Sequence, residues 1–163
     1  MSWREAFLRQ ARSENEVRRR LAASDLPECH ELHYLQMVTE KLAKAYQPEA
    51  ADGGPPAPTH VAFVKLLRSV GRSSSMARVM GFDGTRRFRL HVEGLLPLAA
   101  RVEALAPAAA GFNQPNPEYP WRGDPRHPPV APADHRFALA SPQQVDRLVT
   151  LVEALLEMDE VTE

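Results

Sequence analysis

Apolar residues recur every three or four positions through most of the chain, and no stretch shows the strict alternation of a half-buried strand. That periodicity confines the chain to helices packed on helices. A first helix is predicted over about residues 3–22, with Trp3, Phe7, Gln10, Glu14, Val17 and Leu21 on one heptad-like line. Glu14 is the odd member: its carboxylate either reaches the edge of the bundle or meets a partner across an interface. A second helix is predicted from about Pro27 to Gln47, with Leu32, Leu35, Val38, Thr39, Leu42, Ala45 and Tyr46 on a broad apolar face. Pro27 suits the helix start, and Glu28 and Glu31 favour the positive end of its dipole. The run EAADGGPPAP (49–58) ends this helix.

A third helix is expected from about Thr59, with Thr59 as N-cap and Val61, Phe63, Val64, Leu66 and Leu67 as its apolar residues. Residues 71–84 read as a break, a short helix and a second break. A fourth long helix, about 85–106, is expected to bury Phe88, Val92, Leu95, Leu96, Ala99, Val102 and Leu105, and to bend at Gly94 and Pro97. The last helix is the best marked: Ser141 as N-cap, Pro142 in the first turn and Gln144 at the capping-box position precede a stripe of Val145, Leu148, Val149, Val152, Leu155 and Leu156. Between these two helices lies a proline-rich stretch, 107–140, that suits neither helix nor inner strand. It carries Phe112, Tyr119, Trp121, Val130 and Phe137, so it is expected to lie along the bundle as a packed strap. The predicted architecture is all-α: a mostly antiparallel bundle of about five helices in a single domain over 1–163.

A chain of 163 residues can bury such a core without disulfides or metal. Its formal net charge of −1 marks it neither for nucleic acid nor for an anionic membrane. The distribution is less even: residues 68–101 hold seven arginines against Asp83 and Glu93, and residues 146–163 hold six acids against Arg147. One cysteine excludes an intrachain disulfide and suits a reducing compartment. With no signal-peptide core near the start and no run long enough to span a bilayer, the expectation is a soluble, cytoplasmic protein without membrane contact.

On the second helix, Cys29, His33, Gln36, Glu40 and Lys44 fall within about 80° of one another. Cys29 and His33 are one turn apart but make two metal ligands, not four, so no metal site is expected, and no cofactor. His33 and Glu40 could act as an acid–base pair only through a substrate or a neighbouring helix, since seven residues separate them by about 10 Å. Two other readings stay open: a solvated face with a Glu40–Lys44 pair, or a polar seam against another helix or a second copy of the chain.

The segment CHELHYLQMVTEKLAKA (29–45), followed after a linker by Thr59-His60 and an apolar helix, resembles the HEPN family (higher eukaryotes and prokaryotes nucleotide-binding). The positions that carry the resemblance are His33, Gln36, Glu40, Lys41 and Lys44, and NPEYPW (116–121) is similar to the acidic-Tyr stretch before the final helix of some members. The resemblance implies an all-α bundle, often a homodimer. It further implies either a metal-independent ribonuclease of a toxin–antitoxin or other bacterial defence system, or an inactive relative that binds RNA, nucleotides or a partner nucleotidyltransferase. Active members carry Arg-x(4–6)-His, completed across a dimer, which positions and polarises the phosphodiester.

Two stretches match that spacing, Arg86 to His91 and Arg122 to His127; random placement in so arginine-rich a chain would give about two. In a continuous helix Arg86 and His91 stand about 140° apart, and they converge only if Arg86 precedes the helix start. Arg86, Arg87 and Arg89 nonetheless make a basic patch suited to a phosphate backbone, and three cations sit badly at the positive end of a helix dipole. Arg122 and His127, in the proline-rich stretch, are expected to anchor the strap. The first expectation is therefore a HEPN-like component that associates with RNA or a nucleotide, non-catalytic or weakly catalytic, with His33, Gln36, Glu40, Lys44, Arg87 and Arg89 in binding. The alternatives are a ribonuclease using Arg86 and His91, and a pure protein-interaction module using the polar stripe and the acidic tail.

Overall fold

The computed structural model describes residues 1–50, 53–56, 62–110 and 113–158. Seven helices follow in order: α1 (Trp3–Ala22), α2 (Glu28–Ala45), α3 (Ala62–Val70), α4 (Ser74–Val79), α5 (Thr85–Ala104), α6 (Pro107–Ala110) and α7 (Pro142–Met158), with a 3-10 turn at Pro132–Asp134. The five long ones are the five expected; α4 is the short helix between two breaks, and α6 is a single turn. Among the described residues there is no strand, only an isolated antiparallel bridge between Trp121 and Val130, and no helix long and apolar enough to cross a membrane.

The starts of α1, α2, α5 and α7 have local causes, and that of α3 a distant one. At α1 the Ser2 hydroxyl accepts from Glu5 N at 3.2 Å while the Glu5 carboxylate accepts from Ser2 N, a capping box of the kind worth about 1 kcal/mol. Pro27 stands at the N-cap of α2, and its fixed extended backbone admits the chain to the helix. The expected cap of α3, Thr59, lies outside the described residues. The backbone N–H groups of Phe63 and Val64 are satisfied from a distance: both donate to one Glu103 oxygen of α5, at 2.6 and 3.1 Å. Gly84, at φ 104, is the N-cap of α5, a conformation that disfavours any side chain. At α7 the Gln144 side chain accepts weakly from Ser141, at 3.4 Å.

The short turn between α1 and α2 makes them an antiparallel hairpin, the most extensive packing in the molecule. α5 is the central element, touching α2, α3, α4 and α7, and α7 closes back onto α1. Leu35, Val38 and Leu42 of α2, Phe63 and Leu67 of α3, Phe88, Val92 and Val102 of α5, and Leu148, Leu151 and Val152 of α7 meet in one core.

Three expected faces are corrected. On α1 the buried line is Leu8, Ala11, Asn15 and Arg18, with Glu14 beside it, whereas Trp3 is 41% exposed and Phe7, Val17 and Leu21 only half-buried. The helix is turned because it packs against two neighbours, α2 and α7, and offers its polar residues to the junction. On α2, Tyr46 is exposed while Cys29 and Gln36, placed by the sequence on the polar side, are buried. On α5, Leu98 is buried and Leu96 half-buried.

The proline-rich stretch does lie against the bundle, but on fewer anchors than expected. Trp121 and Phe137 are buried; Tyr119 and Val130 are exposed, and Phe112 lies outside the described residues. His135 stands edge to face with both Trp121 and Phe137, which are tilted to each other, the three ring centroids 4.8–5.9 Å apart. Polar ties complete the strap: Phe137 N donates to Glu28 of α2 at 3.0 Å, Arg101 of α5 donates to the Leu139 carbonyl, and the buried Asn116 side chain accepts from Glu118 N and Tyr119 N.

Candidate functional site

The polar stripe of α2 is not a solvated face. Lys44 Nζ lies 2.6 Å from one Glu40 oxygen, and Gln36 Nε2 donates to the other at 3.0 Å, so the three make a ladder along one helix. Lys44 also stands over the Phe7 ring of α1, 5.9 Å from its centroid. Burial pushes the Glu40 carboxyl up, but the hydrogen bonds from Lys44 and Gln36 outweigh it, and Glu40 titrates below the ordinary carboxylate value. Gln36, Thr39, Glu40, Phe63 and Glu103 enclose a cavity of about 10 Å³, room for a single water and not for a ligand. Lys41, the stripe's neighbour, reaches across to α1: its Nζ is 3.5 Å from Glu14, which Gln10 also bonds at 2.9 Å. At 3% exposure Glu14 does not reach the bundle's edge; of the two readings, the partner across the interface is the one observed.

His33 turns the other way, toward the strap. Its Nδ1 is buried without a hydrogen-bond partner, 3.8 Å from a Glu118 oxygen, and its ring stands edge-on to Tyr34. Cys29 is enclosed, and burial pushes its thiol above the ordinary value. His33 and Glu40 thus face different elements of the fold, and no acid–base pair forms between them.

The arginines of α5 divide by azimuth. Arg86 is inside the helix, one residue past its start, so the turn that would have brought it to His91 is absent and the pair stands about 140° apart within one chain. Arg87 points away from Arg89 and lies 3.8 Å from Asp83, both exposed to screening. Arg89, 3.6 Å from Glu93, faces α3. There, Arg68, Arg72 and Arg89, with Glu93 beside Arg89, rim a groove of about 260 Å³, floored by Leu67, Gly71, Val92 and Leu96. Among the described residues, the guanidinium groups of Arg68, Arg72 and Arg86 have no acidic partner. Arg68 and Arg72 are site candidates that sequence reasoning passed over; the signal was their i, i+4 spacing within the arginine-rich stretch.

His91 lies on the far flank of α5. Its ring packs 5.0 Å from Phe82, its Nε2 is buried without a partner, and burial, with the nearby charge of Arg147 on α7, holds it below the ordinary imidazole value. In the strap, Arg122 and His127 are both exposed, so neither anchors it as expected; Asp124 instead closes a local turn, pairing with Arg126 at 2.6 Å.

A second polar centre escaped the sequence reading. Arg18 is 4% exposed where α1, α2 and α7 meet, and donates to Asn15 at 2.9 Å, Glu31 at 3.2 Å and Glu153 at 2.8 Å. Arg19 shares Glu153, also at 2.9 Å. The carboxyl of Glu153 is pushed up by burial and pulled down further by these arginines, for a net value below the ordinary range. This centre holds three helices together. Among the described residues no group of three or more His, Cys, Asp or Glu side chains could hold a metal ion.

Comparison of the chain with protein-family models, with curated proteins and with solved structures found no match.

Proposed function

We propose that this all-α protein is a HEPN-like component that binds RNA or a nucleotide through the arginine face of α3 and α5, and that it acts by binding more than by cleavage. The observation that carries this reading is positive charge without a counter-charge: among the described residues, Arg68 and Arg72 at the α3–α5 groove and Arg86 at the start of α5 have no acidic partner. On this face Glu93 pairs with Arg89 and Asp83 lies near Arg87, while Glu40 is committed to Lys44 and Glu153 to Arg18 and Arg19. An exposed cation group of this kind attracts polyanions by releasing their counterions, and its affinity falls steeply with salt.

The test is fluorescence anisotropy of labelled RNA across a salt series, with an Arg86→Ala/Arg87→Ala/Arg89→Ala variant beside the parent. Salt-sensitive binding that weakens in the variant supports the reading; equal affinity in both would remove α5 from the interface. A second reading, metal-independent cleavage, is favoured by one feature: the His91 imidazole is kept neutral by burial and has a nitrogen without a partner. RNA cleavage in the presence of EDTA that disappears in His91→Ala, with the helical content retained, would support it. Because Arg86 and His91 diverge within one chain, that reading also requires a second copy to complete the site.

A further inference from the structure

We propose that the groove between α3 and α5 seats one unpaired nucleotide, its phosphate on Arg68 and Arg72 and its base over the apolar floor. The inference rests on the nucleic-acid reading above and names the seat and the chemical class of its occupant.

Two chemistries meet in this groove. Arg68 lies in the last turn of α3 and Arg72 in the turn that follows it; both line the groove, and Arg89 approaches from α5. Guanidinium forks match phosphate oxygens in geometry as well as charge. Beneath them the floor is hydrocarbon: Leu67 and Val92 are buried and Leu96 half-buried. Gly71 lets the helices approach, since a Cβ there would lie 3.4 Å from the Val92 side chain.

The plain structural account explains only part of this. Cations near a helix C-terminus gain about 0.3–1 kcal/mol from the dipole, which accounts for Arg68 in the last turn of α3 and Arg72 just beyond it, and the pair with Glu93 accounts for Arg89. Neither accounts for a concavity with a hydrocarbon floor between the arginines. The occupant must use both chemistries. A duplex keeps its bases stacked and paired and offers only phosphates. An acidic peptide satisfies the arginines and leaves the floor wet. An unpaired nucleotide presents an anion and a flat π-face together, and a volume of about 260 Å³, just under the usual range for small-ligand sites, suits one such unit.

The experiment measures anisotropy of a short labelled single-stranded RNA at about 50 and about 200 mM salt. Its duplex form is measured alongside, and adenosine monophosphate and poly-glutamate serve as competitors. In the Arg68→Ala/Arg72→Ala variant, single-strand affinity should fall at least about tenfold, and the slope of log affinity against log salt should flatten by about 0.7, because one phosphate is no longer neutralised. Arg68→Lys/Arg72→Lys should keep the salt slope but not the full affinity, because the charge stays and the fork is gone. Circular dichroism and Tm close to the parent's show that both variants fold. Competition by the monophosphate that disappears in the same variants also supports the site, with the free nucleotide as its source. Undiminished binding by the double alanine variant overturns the groove while leaving the broader reading to the α5 triple variant. Duplex binding as tight as single-strand binding, or poly-glutamate competing as well as RNA, overturns the unpaired nucleotide. Failure of the parent to bind any of these probes overturns both readings.

Discussion

The α2 stripe and the α3–α5 arginine face carry similar residue types and come to opposite ends. Along α2 each charge has its counter-charge within reach: Lys44 on Glu40, and Lys41 on Glu14 across the α1–α2 interface. Such pairs sit half-buried, hold neighbouring helices in register and offer a ligand nothing. On the α3–α5 face the guanidinium groups of Arg68, Arg72 and Arg89 rim a groove with a hydrocarbon floor, and among the described residues Arg68 and Arg72 have no acidic partner while Arg89 has Glu93 at 3.6 Å. Polar residues at helix spacing therefore do not mark a site. The proposal rests on charge left without a counter-charge beside a concavity.

The contrast is tested hardest at its structural extreme. Arg18→Ala strands Glu31 and Glu153 at the three-helix junction, and should lower unfolding free energy by about 3 kcal/mol, read from the urea midpoint with its slope unchanged. A loss under about 1 kcal/mol would mean that the junction is better solvated than its burial indicates. Glu40→Ala comes next, with an expected loss of about 1–2 kcal/mol and no change in RNA affinity. Weaker RNA binding in that variant would return the α2 stripe to the functional side.

A smaller effect is the dependence of stability on pH. His91 titrates below its ordinary value of 6.5, so the unfolded chain takes up that proton first and stability falls as pH drops below about 6.5, levelling off below the folded-state value. Glu40 and Glu153, held below the ordinary 4.5, add stability that is fully present above about 4.5 and lost as pH falls through their folded-state values. A Tm series from neutral pH downward should show two separate declines, and His91→Gln should remove only the upper one. The smallest effect belongs to the arginine face: Arg68→Ala/Arg72→Ala should change stability by less than about 0.5 kcal/mol, because exposed residues with no partner hold nothing together. A loss of about 2 kcal/mol would make those residues structural and erase the contrast.

Much of the fold was legible along the chain because helix signals are local. The start of α7 is written in Ser141, Pro142 and Gln144, and the end of α2 in the glycines and prolines that follow it. The short α4 between its breaks was legible for the same reason. The inward face of α1 was not. Leu8 and Ala11 bring in Asn15 and Arg18 because α1 serves two neighbours, and periodicity cannot say which neighbour a polar residue will meet. The cap of α3 was hidden for a similar cause: Glu103 lies some forty residues downstream of the N–H groups it satisfies.

The candidate site divides in the same way. The excess of arginine over residues 68–101 could be counted, but not which of those arginines would find an acid. Arg86 and His91 carry a suggestive spacing, yet the helix beginning at Thr85 holds them on different faces. What the amino-acid order determined was the set of helices and their breaks, because hydrogen bonding three to four residues apart, capping and proline geometry act over a few positions. Tertiary packing alone decided which polar groups were neutralised and which stayed bare. Charge compensation acts through space, between residues as far apart as Arg18 and Glu153.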